Sequence, residues 1–425
     1  MKQKSKPKPK GSVIAALDIG SSKIACFIAR VIDDKGGFEI VGVGHQAAQG
    51  IKSGSVTDLA AAEAAIRATV HTAENMAASV MHGYPLRDVI INVPGVHASS
   101  HRFDVGIQVS GHEVTDNDVR RALAKAQTQV LQGSEQELVH TVPTGYTIDG
   151  HNSIREPRGM VGQNLDVGIH LVTGASSPLR NIATCIERSH LDIDALCLSA
   201  YAAGLSSLVE DEMDLGCTVI DMGGGITSLA VFTGGTLVYS DALAVGGQHV
   251  TSDIARGLTT TLADAERLKT LYGSAIGAGT DESDLIDVPQ VGEDRHRHPN
   301  HVPRSLLVGI IQPRIEEILE LARAKLKDSG LGTAAGRRVV LTGGACQLPG
   351  LRDLSQLVLD KQVRLGRPIR INGLADSVGG PAFATTAGLL TYMSERADEM
   401  PAEIMAQATP GNLVERVKYW LQENW

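Results

Sequence analysis

Two stretches of this 425-residue chain place a carboxylate just ahead of a small-residue turn: LDIGSSK at 17–23 and IDMGGGIT at 220–227. Each lies between alternating apolar segments, "VIAALDIGSSKIACFIARV" (13–31) and "CTVIDMGGGITSLAVFTGGTLV" (217–238). The pattern predicts a β-hairpin whose turn exposes backbone N–H groups: Gly20, Ser21 and Ser22 in the first, Gly223, Gly224, Gly225 and Thr227 in the second. Where no Cβ intervenes, several amides can converge on one phosphate. Two such turns facing each other would clamp a polyphosphate. Asp18 and Asp221 would then hold Mg²⁺ through its water shell, and Lys23 would add a point charge on the phosphates. One Asp-x-Gly is ordinary hairpin punctuation. Two copies in the same strand–turn–strand setting read as an internal duplication.

Two further glycine pairs extend the pattern. In "DALAVGGQHVTSDIARGL", Gly246 and Gly247 end a strand ahead of a helix that Thr251, Ser252 or Asp253 would cap. In "RRVVLTGGACQLPGL", a buried-type strand over Val339 to Thr342 runs into Gly343 and Gly344, where an adenine ring could lie flat on the main chain. Either pair alone is an ordinary strand-to-helix turn.

The elements that must position these residues form an α/β chain long enough for several cores. The order strand-DIGSSK, strand-DMGGGIT, GG-helix, a helix with "DAERLK" (264–269) and VVLTGGA resembles the nucleotide-binding fold of the actin, Hsp70 and sugar-kinase superfamily. Within it the chain resembles the FtsA family of division actins, through "DIGSSKIACFIARV", "GGQHVTSDIARGLTTTLADAERLK", "GIIQPRIEEILELARAKL", "VVLTGGACQLPGL" and the C-terminal segment. The resemblance spans 12–425. It implies an actin-like ATPase fold: two duplicated ribonuclease-H-like halves around a nucleotide cleft, with an inserted α+β subdomain replacing the one actin uses elsewhere. The expected division is a first core subdomain (1A) at 12–88 and 178–213, the insert (1C) at 89–177, a second core subdomain (2A) at 214–246 and 308–395, and subdomain 2B at 247–307. ATP with Mg is the implied cofactor. Gly20, Ser21, Ser22 and Lys23 would be one phosphate loop and Asp221 to Thr227 the other, with Gly246 and Gly247 closing the site. Glu266 and Lys269 would reach the ribose, and Gly343, Gly344 and Ala345 would bound the adenine.

Partners follow from the same resemblance. The insert would serve protomer contacts in a filament of copies of this chain and the binding of later division proteins. Subdomain 2B would hold the C-terminal peptide of FtsZ. Arg304, placed by alignment back from "QPRIEE", would meet that acidic peptide, for which a bidentate guanidinium is suited. Within the insert, Thr115 and Asp118 predict a capped helix start at "TDNDVRRALAKAQ". His249, His296, His298 and His301 near "GEDRHRHPNHVPR" lack a carboxylate or Cys at ligand spacing and read as part of a solvated loop.

The two tryptophans, Trp420 and Trp425, sit at the extreme C-terminus. Pro401 and Pro410 mark 396–410 as linker. From Gly411 on, a 100° step places Leu413, Val414, Val417, Trp420, Leu421 and Trp425 on one side and Glu415, Tyr419, Gln422 and Glu423 opposite. This amphipathic helix, detached by a linker, is expected to lie on a membrane surface as a peripheral anchor, which the resemblance places at the cytoplasmic face of the inner membrane. Arg416 and Lys418 are balanced by Glu415 and Glu423, so attachment would rest on apolar insertion, weak for one copy and multiplied along a filament.

Composition narrows the rest. A net charge of −9 argues against nucleic acid as a partner. Five scattered cysteines without a CxxC pair fit reduced, buried thiols. The basic start, 1–11, reads as a disordered leader. The segment "LCLSAYAAGLSSLVEDE" (196–212) offers Ser and Ala where actin-like ATPases place Gln or Glu, so slow or undetectable hydrolysis is expected. A PilM-like pilus scaffold is the alternative, disfavoured by the detachable tail. An Hsp70-type chaperone would need a substrate domain after "LTYMSERA", and a metabolic kinase would need a further activating carboxylate.

Overall fold

The computed structural model describes residues 8–33, 36–292, 300–332, 334–396 and 399. The chain opens with β1 (Val13–Ile19), β2 (Lys23–Val31) and β3 (Phe38–Ala47), then a short hairpin of β4 (Ile51–Lys52) and β5 (Ser55–Val56), helix α1 (Leu59–Met81) and β6 (Asp88–Val93). A separate unit follows: β7 (Ala98–Gln108), α2 (Asp116–Leu131), β8 (Gln136–Ile148), β9 (His151–Ile154) and β10 (Asn164–Ala175). The first lobe resumes with α3 (Ser176–Arg188), β11 (Asp192–Leu198) and α4 (Ser199–Ser207). The second lobe comprises α5 (Glu210–Leu215), β12 (Cys217–Met222), β13 (Thr227–Thr233), β14 (Thr236–Leu243), α6 (Gly247–Gly257), α7 (Leu262–Tyr272), β15 (Leu285–Asp287), β16 (His301–Pro303), α8 (Arg304–Asp328), β17 (Arg338–Thr342), α9 (Leu351–Leu359), β18 (Gln362–Leu365) and α10 (Ala384–Glu395).

The duplication is visible in the strand order. The first sheet runs β3-β2-β1-β6-β11 and the second β14-β13-β12-β17-β18. In each, an antiparallel pair joined by a glycine turn sits beside two parallel strands. Helices cover these sheets on both faces, so β1 and β2 read as almost unbroken runs of buried residues. β6 pairs in parallel with β1. The strand beginning at 89, expected to open the insert, therefore belongs to the first lobe, and the insert starts after Val93. An apolar parallel strand looks the same in either sheet until its neighbours are known. In the second lobe α8 is continuous from Arg304, so the expected 2B–2A boundary at 308 falls inside a helix.

α4 and α10 exchange lobes. α4 continues the first-lobe chain yet packs on β12 and β13, while α10 closes the second-lobe chain and packs on β1 and β6. The two helices cross so tightly that Gly388 lies against the Ala202 main chain and Gly204 against the Phe232 ring.

The insert has its own core, in which Val119, Ala122 and Ala126 of α2 meet Val105, Leu165 and Leu171 of the sheet β7-β10-β8-β9. Two buried histidines tie it to the lobes. The Leu198 amide donates to His140 Nε2 (3.0 Å), leaving Nδ1–H for Tyr392 Oη (3.1 Å). His170 Nδ1 faces Leu237 O (3.1 Å) and its Nε2 faces Ser100 Oγ (2.7 Å). Burial lowers their pKa values to about 3 and about 4, so both are neutral. The α2 start is as expected: the Asp118 carboxylate accepts from both the Thr115 amide (2.9 Å) and hydroxyl (2.6 Å). Asp118→Ala is expected to cost about 1–2 kcal/mol, read as a lower urea midpoint of the full chain. An unshifted midpoint would show that the cap contributes nothing.

Both ends of the described chain are docked more closely than expected. Lys8 pairs with Asp194 at 2.8 Å, and the Gly11 amide donates to Val31 O, so the leader's last residues lie on the first lobe. Arg396 and Glu399, expected in the linker, contact Gly235 O (3.2 Å) and Tyr201 Oη (2.6 Å) respectively.

Candidate functional site

The two glycine turns are built alike. The Gly20 amide donates to Lys23 O (3.0 Å) and the Gly223 amide to Ile226 O (2.8 Å), closing the same i to i+3 ring in each hairpin. Gly224 lies against Ser22 and Gly225 against Ser21, so the turns face each other across the cleft. Gln248 Nε2 adds a bond to Ser21 O at 3.1 Å.

Behind the turns the two carboxylates share one support. Thr386 Oγ1 donates to Asp18 (3.1 Å) and Thr385 Oγ1 to Asp221 (3.2 Å). Successive hydroxyls at the start of the lobe-crossing α10 thus hold one acid from each half. Burial raises the pKa of both; Asp221 rises to about 7, with the charge of Asp18 adding to the effect and Lys23 opposing it. The Lys23 ammonium donates to Ala382 O and sits 3.6 Å above the Phe383 ring. Its own pKa is lowered by burial, against the pull of the two carboxylates. Two acids facing one lysine leave room for cationic charge. The oxygen-only donor set of carboxylates and hydroxyls suits a hard, hydrated ion such as Mg²⁺. Among the described residues, no three His, Cys, Asp or Glu side chains gather as a direct metal site.

The remaining glycines are steric requirements of the same corner. A Cβ on Gly246 would lie 2.5 Å from Gly223 O, and one on Gly343, at φ +85°, would lie 2.5 Å from Met222 O. α6 starts at Gly247, whose amide donates to Gly223 O (3.0 Å), while His249 Nδ1 accepts from the Gly246 amide (3.1 Å). The expected caps Thr251, Ser252 and Asp253 instead lie inside the helix. Thr251 is used at the site's edge, where Lys269 Nζ bonds Thr251 Oγ1 (2.9 Å), Gly247 O (3.2 Å) and Glu266 (2.6 Å). A Cβ on Gly247 would meet Ala345 Cβ at 3.1 Å, so Gly247, Glu266, Lys269 and Ala345 do come together, with Gly344 lining the cleft nearby.

Thr227 is a correction. Its hydroxyl is fully buried and donates to Val245 O (2.8 Å), away from the cleft, and the neighbouring Ser228 lines the cleft instead. The cleft also recruits Asn92, Ser199, Gly54, Pro94 and Thr385, none of them singled out in the sequence. Asn92 Oδ1 accepts from the Ile19 amide (2.7 Å), and its Nδ2 donates to Ser199 Oγ (3.2 Å), which itself donates to Val93 O (3.0 Å). Ser199 at the start of α4 therefore offers no base. A larger depression of about 990 Å³ on the outer first lobe is lined by Arg67, His71, Glu74, Arg87, Glu187 and Asp192. Its charges are mixed and no glycine turn faces it.

Arg304 is already engaged. Its Nε donates to Tyr272 O (2.7 Å) and its Nη1 to the buried Asp281 carboxylate. The guanidinium expected to meet an acidic peptide serves first as the counter-charge of Asp281. His301 lies in β16, whereas His296 and His298 fall outside the described residues, as do Leu413, Val414, Val417, Trp420, Leu421 and Trp425 of the predicted tail helix.

Comparison with known proteins agrees with this architecture. Residues 218–388 match the family model "Cell division protein FtsA", and 95–173 match the model of the SHS2 domain inserted in FtsA, which coincides with the insert. The chain is 40% identical to the cell division protein FtsA of Rhizobium meliloti (strain 1021), over 99% of this chain and 96% of that protein. It is 33% identical to the Escherichia coli (strain K12) protein of the same name, over 97% and 98%. Among solved structures it is similar to the PilM–PilN type IV pilus biogenesis complex, with a TM-score of 0.64, 17% identity, and 90% and 98% coverage. It is also similar to MreB5 of Spiroplasma citri bound to ADP, with a TM-score of 0.53, 13% identity, and 92% and 98% coverage. These neighbours share the actin-like fold. With relatives of this identity along nearly its entire length, the chain belongs to the FtsA family of actin-like cell division proteins.

Proposed function

We propose that this chain binds Mg-ATP between its glycine turns, polymerises, and tethers FtsZ to the cytoplasmic face of the inner membrane at the division site through residues 411–425. The observation that carries the nucleotide reading is the acid pair Asp18–Asp221, one from each half, each held by a threonine of α10 behind facing glycine turns. Mg²⁺ held through water by these carboxylates would neutralise phosphate charge. The turn amides, with Lys23 beside them, bind and orient the phosphates. Gly247, Glu266, Lys269, Gly343, Gly344 and Ala345 form the nucleoside end. With Ser and Ala in the segment 196–212 where a base would be expected, the nucleotide acts as a ligand that sets the state of the cleft, with slow or no turnover.

Among the described residues no helix is long and apolar enough to cross a membrane. The proposed attachment rests on the amphipathic pattern of the tail. The FtsZ peptide is placed on the 2B face, with Arg304 at its edge. Contacts through the insert serve later division proteins. The test is co-sedimentation with liposomes, with and without Mg-ATP, of the full chain and of one ending at Thr409. The full chain should pellet, more so with Mg-ATP if polymerisation multiplies weak anchors. The shortened chain should stay in solution, and equal pelleting of the two would overturn the anchor.

A further inference from the structure

The insert is joined to the first lobe by its chain and to the second by side chains. Both of its connections belong to the first lobe: β6 pairs with β1, and α3 packs on α1. Its sheet nevertheless lies against β14, the edge strand of the second sheet. An edge strand leaves main-chain groups without ladder partners. Among the described residues no ladder joins β7 to β14, and side chains of the insert take up β14 main-chain groups instead.

The Leu237 carbonyl can only accept, so His170 Nδ1 carries the ring proton and donates to it (3.1 Å), which leaves Nε2 to accept from the Ser100 hydroxyl (2.7 Å). Ser100 Oγ in turn accepts from the Ser240 amide (3.3 Å). The relay leaves β14 at Ser240, crosses β7 and β10 of the insert, and returns to β14 at Leu237. His170 is fully buried, so no water can replace a lost member while the relay is closed. A second tie lies at the end of α8, where Arg102 Nη2 donates to Ser329 O (2.7 Å). Carbonyls there lack helical partners and favour a cation.

One strand connects this clasp to the cleft. β14 runs from Leu237 and Ser240 to Leu243 and on to Gly246 and Gly247, and the Gly247 amide docks on Gly223 of the second glycine turn. At the root of the insert, a Cβ on Gly95 would stand 2.8 Å from Ala242 Cβ, again on β14. With the clasp made, the glycine turns are also in contact, Gly224 against Ser22 and Gln248 Nε2 on Ser21 O. Rotating the lobes apart would break the clasp or pull the insert from its root.

We propose that the insert is a strut across the two lobes, in which Ser100, His170 and Arg102 hold β14 and so favour the closed cleft. This rests on reading the cleft as a nucleotide site. Side-chain ties, unlike a strand ladder, can be made and broken together. Once they open, water satisfies the same groups, so the loss of a tie falls on the closed state. The coupling is reciprocal: nucleotide that favours closure must tighten the clasp, and a load on the insert that opens the clasp must weaken nucleotide binding.

The experiment pairs calorimetric titration of the full chain by Mg-ATP with hydrogen exchange across 236–243. The double variant Ser100→Ala/Arg102→Ala should bind Mg-ATP at least about fivefold more weakly than wild type, the value of one ordinary hydrogen bond, and Ser100→Ala alone about two- to threefold. Asp118→Ala, which weakens the α2 start inside the insert, should bind within about twofold of wild type. In the wild type, saturating Mg-ATP should slow exchange across 236–243. Should the double variant fail to fold, Ser100→Ala decides, because it removes only a hydroxyl. Wild-type affinity in the clasp variants, a matching loss in Asp118→Ala, or exchange that ignores bound Mg-ATP overturns the proposal. Wild-type protein that takes up no nucleotide would instead sink the reading of the cleft itself, and this inference with it.

Discussion

Asp221→Asn should raise the thermal stability of the nucleotide-free protein at pH 8 while weakening Mg-ATP binding by roughly 10- to 100-fold, as expected for a carboxylate that acts on a metal through water. The sign of the first effect follows from the acid pair. In the folded chain burial and the charge of Asp18 hold the Asp221 pKa at about 7, against 3.8 as an ordinary aspartate. The folded state therefore keeps a proton that the unfolded state releases. Stability from this group is fully present below about pH 4 and is lost as pH rises through about 7. At pH 8 the cost reaches up to about 4 kcal/mol, taking about 1.4 kcal/mol per pKa unit. Asn carries no charge, and its amide oxygen can still accept from Thr385. Melting curves of wild type and variant should therefore separate between pH 5 and 8 and converge below pH 4. Mg-ATP should restore the wild type at pH 8 and do little for the variant. Parallel melting curves across this range would show that the pair is not strained by its own charge.

The second large effect is expected at Gly388, where α10 crosses α4. On this face of α10 an added Cβ would overlap the carbonyl of Ala202 in α4. The obstacle is main chain, which no rotamer change can move. Gly388→Ala should therefore destabilise the protein by about 3 kcal/mol, although Ala is favoured over Gly in an isolated helix by about 1 kcal/mol. Because α4 and α10 each pack on the other lobe, the crossing is also where the lobes are joined. Urea unfolding of the full chain is the measurement. Gly204→Ala is the control, since the group it meets is the Phe232 ring, a side chain with some freedom to shift. A Gly388→Ala midpoint at or above wild type would show that the helices separate at no cost.

Much of this architecture was legible because its chemistry is local. The acidic turns, the alternation around them and the paired residues Thr115 and Asp118 each lie within a few residues of chain. Hydrogen bonding and φ freedom act at that range. The fold departs from local expectation where a residue's partner is remote. Thr251 resembles a helix cap, but the start of α6 is set by Gly223 and Gly224 docking on it. Arg304 reads locally as a cation for an acidic peptide, and only the fold shows that it also pairs with Asp281, 23 residues away. Thr385 and Thr386 pass as ordinary helix residues until α10 is seen to cross into the first lobe.

What the sequence by itself determined is the duplicated pair of strand–turn–strand units, the acid carried by each, and the polarity pattern of the C-terminal segment, all properties of short stretches of covalent chain. Tertiary structure alone decided that the two acids face one another over a single helix start, that β6 joins the first sheet, and that Ser55 of a small hairpin meets His97 while the neighbouring Gly54 reaches the first glycine turn. Those pairings span from 33 to 368 residues of chain. Only burial of the two sheets and the exchange of helices between them brings such distant groups within hydrogen-bonding reach.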